Sequence, residues 1–99
     1  MIVVTGIYDV AEEDRQAFLE SKGPQASQTL AEPGCREYAF SADATRPGRV
    51  RLIELWSSRD DLDAHLAGMK ASPPPPSPVD VLATEFNVFE VSPTEAPWG

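Results

Sequence analysis

One cysteine and one histidine stand in a chain of 99 residues. Cys35 has no partner for an intramolecular disulfide, and one thiol with one imidazole cannot build a structural zinc site, which needs more soft ligands than these. Zinc fingers, multi-histidine metal centres, iron–sulfur clusters and disulfide-stapled secreted scaffolds are thereby excluded. Neither EF-hand spacing nor a phosphate loop is present, and no dinucleotide fingerprint or haem ligand set can be found, so no metal and no cofactor is expected. Basic residues are also scarce: eight Lys and Arg against sixteen Asp and Glu give a net charge of −8. Such a surface repels phosphate backbones and anionic lipid, and neither nucleic acid nor membrane is expected as a partner. Long apolar runs are lacking too, because Thr5, Gly6, Arg51 and Glu54 break them far short of the roughly 20 residues that a membrane span requires. Met1 to Tyr8 has no preceding Lys or Arg and no small-residue cleavage pattern after it, so the expectation is a cytoplasmic chain without a signal peptide.

What the sequence does hold is 41% hydrophobic residues, enough for one domain with one core. Ile2 to Tyr8 is β-branched, aromatic and uncharged, and reads as a strand. Asp9, with Glu12 three residues on, predicts an N-cap and a helix from about residue 10, carrying a stripe of Phe18, Lys22, Ala26 and Leu30. Gly23-Pro24 predicts a kink or a break in that helix, since Pro24 has no amide hydrogen and its ring meets the carbonyl of Glu20. Glu32-Pro33-Gly34 stops it. Cys35 to Ser41 and Arg49 to Trp56 read as strands joined by a polar turn over 43–48, which makes them antiparallel neighbours. Ser58 caps a second helix with Leu62, Leu66 and Met69 at helical spacing, ending near Gly68. Pro73 to Pro78 holds five of the ten prolines and is extended chain, and Thr84 to Val91 is the last strand. The order strand, helix, strand, strand, helix, strand is that of a ferredoxin-like split βαβ α+β domain with a four-stranded antiparallel sheet. Its domain runs over 1–91, followed by an irregular tail over 92–99. Strand 49–56 is apolar at both parities (Val50, Leu52 and Trp56 against Ile53 and Leu55), so the face away from the helices needs cover, and a homodimer supplies it.

Glu32-Pro-Gly-Cys-Arg-Glu-Tyr38, then Arg49-Val-Arg-Leu-Ile-Glu-Leu-Trp56, then Ser57-Ser-Arg-Asp-Asp-Leu-Asp-Ala-His-Leu66 form an ordered set. In this set the chain resembles the antibiotic biosynthesis monooxygenase-like family, whose hallmarks are a PG turn into a strand, an E-x-W ending the third strand and an A-H-L on the second helix. The resemblance covers roughly residues 1 to 70 and implies a dimeric α+β barrel. It departs after Gly68, where relatives continue helically and this chain has its tetraproline. Family members include quinone-forming oxygenases, haem-degrading enzymes and an isomerase of a signalling-sugar phosphate, so the fold follows more directly than the reaction.

Five residues are candidates for a site. Trp56 resembles the tryptophan beside the substrate in quinone-forming relatives, although the assisting Asn and Tyr of those proteins are replaced by Leu52 and Leu62; a core aromatic is the plainer role. His65 is the one side chain that titrates near neutrality unperturbed, hence the default proton acceptor; the plainer role is a histidine packed between helix and sheet. Glu54 shares a strand face with Leu52 and Trp56, where burial would raise its pKa unless Arg36, Arg49 or Arg51 pairs with it. Tyr38 and Tyr8 offer hydroxyls to a substrate oxygen or simply pack in the sheet. Cys35, with Glu32 and Glu37 nearby, reads as an inert thiol. The expected assignments are His65 and Tyr38 as catalytic, with Trp56, Glu54 and Tyr8 binding substrate. The expected function is a cofactor-independent monooxygenase acting on a small aromatic or polyketide-type molecule, and the alternative is a dimeric barrel that binds a small apolar ligand without turnover. Haem degradation in relatives uses an Asn on the first strand, a Trp on the second helix and a later His. Here the single asparagine is Asn87 on the last strand, His65 stands at the Trp position, and no histidine follows, which argues against it.

Overall fold

The structure, a computed structural model, describes residues 1–96, so the last three residues of the expected tail lie outside the described residues. The elements are β1 (Ile2–Val10), α1 (Arg15–Leu30), β2 (Cys35–Ala42), β3 (Arg49–Trp56), α2 (Arg59–Ala71) and β4 (Val81–Glu90), with a 3₁₀ turn over Glu12–Asp14 leading into α1. All pairings are antiparallel and the sheet order is β2-β3-β1-β4, the order of the ferredoxin-like α+β fold.

Period-two patterning decides which face meets the helices. Ile2, Val4 and Val10 on β1 and Val50, Leu52 and Trp56 on β3 are buried, together with Phe18 of α1 and Leu62 of α2. At about 1.5–3 kcal/mol for each large apolar side chain removed from water, this face is the main source of stability. Two clusters share it. Ile2, Val4, Tyr38, Leu52, Trp56 and Leu62 pack at one end, Val10, Phe18 and Val50 at the other, and Tyr8 and Phe40 touch both. Gly6 leaves room between them, since a Cβ there would sit 2.8 Å from the ring of Phe86 and 3.2 Å from Leu52 Cβ.

Three local expectations are corrected. Asp9 does not cap a helix: its carboxylate accepts from Arg49 Nε and Nη2 at 2.8 and 3.0 Å, and β1 continues through Val10. A cross-strand ion pair has outcompeted the capping box, and helix entry passes to Ala11 without a side-chain cap. Pro24 does not break α1, which runs through as one helix of 16 residues; the Glu20 carbonyl that loses its partner belongs to an exposed residue and can bond water. The last strand begins at Val81, three residues before the expected Thr84.

The other signals act as expected. Ser58 Oγ accepts from Asp61 N at 3.2 Å and caps α2. Gly34 takes φ +77°, a left-handed turn between α1 and β2, and its carbonyl accepts from Ser57 N at 2.8 Å. Asp43 organises the β2–β3 turn, its Oδ1 accepting from the amide and hydroxyl of Thr45 at 2.8 Å each and its Oδ2 from Arg51 Nε at 2.6 Å. Those bonds hold its carboxyl well below the usual carboxylate range. After α2 the prolines run along the molecule to Ser77, whose hydroxyl donates to the Val79 carbonyl at 2.7 Å and turns the chain into β4. β4 is the edge strand beside β1, and all ten of its residues are exposed.

Candidate functional site

The proline segment closes one side of a cavity of about 610 Å³ whose other walls are α1 and the C-terminal half of α2. Lys22, Gln25 and Glu32 line it from the α1 side, and His65 and Met69 from α2. This wall is built from Pro73–Pro78.

His65 is 4% exposed, one turn after the buried Leu62 on the face of α2 that meets β3. Its Nδ1 lies 3.0 Å from both carboxylate oxygens of Glu32, at the end of the loop-side wall. A carboxylate can only accept, so the Nδ1 proton is fixed toward Glu32 and the neutral ring keeps Nε2 as its free acceptor. Among the described residues Nε2 has no hydrogen-bond partner.

Beneath His65 lies the sheet. The Trp56 ring is 4.9 Å from the imidazole at 33°, and the Tyr38 ring 5.8 Å away and edge-on. Trp56 is fully buried and does not line the cavity; its Nε1 donates to Glu54 Oε1 at 3.0 Å. Tyr38 is also buried, and its hydroxyl accepts at 3.2 Å from Gln25 Nε2, which does reach the cavity. Tyr8 packs among Phe18, Phe40 and Phe86, with ring centroids 5.2, 5.9 and 5.4 Å away. So the structure brings His65, Tyr38, Trp56 and Glu54 into one cluster and sets Tyr8 beside it, with His65 alone of the five lining the cavity.

Burial is the leading electrical influence on this cluster. It pushes the Tyr8 hydroxyl up to about 12 and that of Tyr38 higher still, with the Glu54 charge adding to both, so both are neutral phenols at physiological pH. Burial likewise raises Cys35, reinforced by Glu32 and Glu54, which keeps it a thiol. Glu54 is 7% exposed and finds no arginine: Arg49 is taken by Asp9 and Arg51 by Asp43. Its pKa is raised by desolvation, partly offset by the Trp56 indole and by His65. A carboxyl whose pKa rises on folding stabilises the fold as pH falls and costs stability once ionised. Glu54→Gln, which keeps an oxygen for the Trp56 indole, is therefore expected to raise the melting temperature by several degrees at pH 7–8, with the gain shrinking as pH is lowered toward the ordinary carboxylate range. Thermal melts over pH 4–8 check this, and an equal shift at every pH would contradict it.

Glu32, Lys22 and Gln25 were not foreseen as site residues. Glu32 reads in the sequence as the first residue of a stop signal, and its approach to His65 spans 33 positions. Lys22 reads as part of a helical stripe, yet its Nζ lies over the rings of Tyr8, Phe18 and Phe40 at 5.6, 5.1 and 5.6 Å. The one available signal was that a lysine sat at a core spacing among apolar residues. Asn87 pairs with Thr5 and lies on the opposite sheet face from His65. Among the described residues no group of three or more His, Cys, Asp or Glu is placed to hold a metal ion, and no helix is long and apolar enough to cross a membrane.

Comparison with solved structures supports the fold assignment. A Deinococcus radiodurans protein classed with the antibiotic biosynthesis monooxygenases superposes with a TM-score of 0.82 over 100% of both chains at 20% identity. A haem-degrading protein of Mycobacterium tuberculosis, with two haems bound in its active site, superposes at 0.77 over 97% of this chain and 100% of its own at 13% identity. At these identities the likeness is one of fold. In sequence, an uncharacterized protein of Synechocystis sp. is 31% identical over 64 residues, 65% of this chain, and the chain spans only 44% of that relative's length. Residues 1–70 match the sequence pattern of the family described as antibiotic biosynthesis monooxygenase. With the split βαβ sheet, the PG turn into β2 and the tryptophan ending β3 all in place, the chain belongs to the antibiotic biosynthesis monooxygenase family.

Proposed function

We propose that the chain is a cofactor-independent monooxygenase of a small aromatic or polyketide-type molecule, acting in the cavity between α1, α2 and the proline wall. The observation that carries this reading is the Glu32–His65 pair: a cavity-lining imidazole whose Nδ1 is held at 3.0 Å by a carboxylate and whose Nε2 is unspent. That is the arrangement of a general base. His65 takes a proton from an acidic C–H, for which an anthrone methylene is a suitable model, and Glu32 stabilises the resulting imidazolium. The electron-rich carbanion passes one electron to O₂. The radical pair then joins in a C–O bond, and His65 returns its proton as the peroxide loses water to leave a carbonyl. One oxygen atom ends in the product and the other in water, with the substrate as the reductant. Trp56 and Tyr38 form the floor that holds the imidazole, and the Tyr38 hydroxyl orients Gln25, whose second Nε2 hydrogen is left to donate to an oxyanion.

A second reading, ligand binding without turnover, is favoured by the apolar Leu52 and Leu62 at positions where polar groups would assist oxygenation. Oxygen-electrode measurements with dithranol, with and without EDTA, separate the two. Monooxygenase action predicts uptake above the spontaneous rate, unchanged by chelator, with an anthraquinone product. Binding without uptake gives the cavity to the second reading.

The active unit is proposed to be a cytoplasmic homodimer. Support comes from the outward sheet face, where Ile53 is 44% and Phe89 51% exposed beside Val3, Ile7 and Leu55, a contiguous apolar surface on a small domain. Light scattering at micromolar concentration is expected to give twice the chain mass; a folded monomer would contradict it.

A further inference from the structure

Lys22 is the cation of this cavity. Among the described residues the only other titratable groups in the lining are Glu32 and its partner His65. The ion pairs formed among the described residues use Arg49, Arg51 and Arg59, and Glu32 is engaged by the His65 ring; none uses Lys22. Its ammonium has three aromatic ring faces below it and one weak polar partner, Gln25 Oε1 at 3.4 Å. In a chain of net charge −8, a half-buried ammonium without a carboxylate, placed on a cavity, is an unusual arrangement.

We propose that Lys22 is the anion-binding residue of the cavity, and that the ligand is a flat apolar molecule carrying an anionic oxygen, carboxylate or phenolate, seated against the Pro73–Pro78 wall. Five of those six wall residues are prolines, whose ring faces pack well on aromatic surface but offer no N–H to an anion. Charge recognition must therefore come from the α1 side, and there Lys22 is the only cation. Burial holds the Lys22 pKa below that of a free lysine, a cost that an anion beside it offsets. The geometry also links the two ends of the site. Lys22 Nζ bonds Gln25 Oε1, Gln25 Nε2 bonds the Tyr38 hydroxyl, and the Tyr38 ring meets His65, so an oxyanion at Lys22 leaves the rest of the molecule along the wall toward the imidazole.

The inference rests on the cavity being a small-molecule site and not on turnover, so it is tested by binding alone. In isothermal titration calorimetry, 2-naphthoate is expected to bind at least about tenfold tighter than its uncharged methyl ester, the discrimination of one charge-assisted hydrogen bond. In a second arm, 4-nitrophenol at fixed pH is expected to shift toward its ionised colour on binding if the cavity takes phenolates. Lys22→Met, which keeps the apolar stem over the rings, should abolish either preference by weakening the acid far more than the ester, and Lys22→Arg should retain it. A Lys22-dependent preference in either arm supports the proposal and names the oxygen. Equal affinity for acid and ester with no nitrophenol shift, no binding of any of these probes, or a preference that survives Lys22→Met in a folded protein overturns it. None of these outcomes depends on oxygen uptake, so a failed oxygenase assay leaves this result standing and the reverse also holds.

Discussion

His65→Ala is expected to lower oxygen uptake with an anthrone by at least about tenfold, the low end for loss of a positioned general base. The side chain does two things that this substitution removes together. In the proposed mechanism it accepts the proton at Nε2, and it holds its Nδ1 N–H against Glu32, whose charge balances the imidazolium. Glu32→Gln separates them: the amide oxygen can still accept from Nδ1 but carries no charge to stabilise an imidazolium, so an intermediate rate is expected. Ligand affinity, measured by calorimetry on the same preparations, should change far less than the rate, because the imidazole acts on the reacting carbon rather than on the bulk of the ring system. An unchanged rate in His65→Ala would remove the residue from the mechanism. Circular dichroism of each variant shows whether the fold is intact, a necessary control since His65 also covers Trp56 and Tyr38.

Trp56→Ala should have the largest effect on stability. The indole is completely buried in the cluster with Ile2, Val4, Tyr38, Leu52 and Leu62, so its removal opens a large cavity where the sheet packs against α2. Such truncations cost about 3–5 kcal/mol against a total of about 5–15 kcal/mol for a domain. At roughly 4–8 °C per kcal/mol in a chain of this size, a drop in melting temperature of at least about 12 °C follows. The loss has a second component, because Glu54 Oε1 loses its indole donor and becomes a buried, poorly satisfied carboxylate. Trp56→Phe restores most of the volume but not the N–H. Its residual destabilisation should therefore grow as pH rises and shrink as pH falls toward and below the ordinary carboxylate range, a protonated Glu54 tolerating the missing donor better than an ionised one. A shift of only a few degrees for Trp56→Ala would mean that the indole is not the keystone of the first cluster.

The sheet was legible from residue order because its signals are local and redundant. Val50, Leu52 and Trp56 mark the buried parity of β3 by themselves, and Ser58 caps α2 with a bond to a neighbour three residues away. Where two local signals competed, order alone could not choose. Asp9 is a good cap by type, but a strand partner, Arg49, lies opposite it in the β1–β3 register and claims both carboxylate oxygens. Pro24 is a helix breaker by type, yet the lost bond falls on the solvent side of α1 and the tertiary packing of Phe18 and Thr29 carries the helix through. For the site, His65, Tyr38, Trp56 and Glu54 were recognisable as unusual residues on buried faces. What order could not show is which of them lines the cavity, since that depends on the placement of chain 33 residues away in sequence and on a proline segment that closes one side of it. The arginines beside Glu54 in the strand pattern also misdirect, because the pleat sends Arg49 and Arg51 to the opposite face from Glu54, where Asp9 and Asp43 meet them.

The proline wall has a spectroscopic consequence. Pro73 to Pro76 and Pro78 carry no amide hydrogen, so this side of the cavity is silent in hydrogen exchange and in amide-detected NMR spectra. A ligand resting there would leave its footprint on α1, on His65 and Met69, and on the amides of Ser72, Ser77 and Val79 that bracket the prolines, while the five prolines themselves give no amide signal. Mapping the site by amides alone would place the ligand too near α1, and only carbon-detected spectra or proline isotope labelling would restore the missing wall.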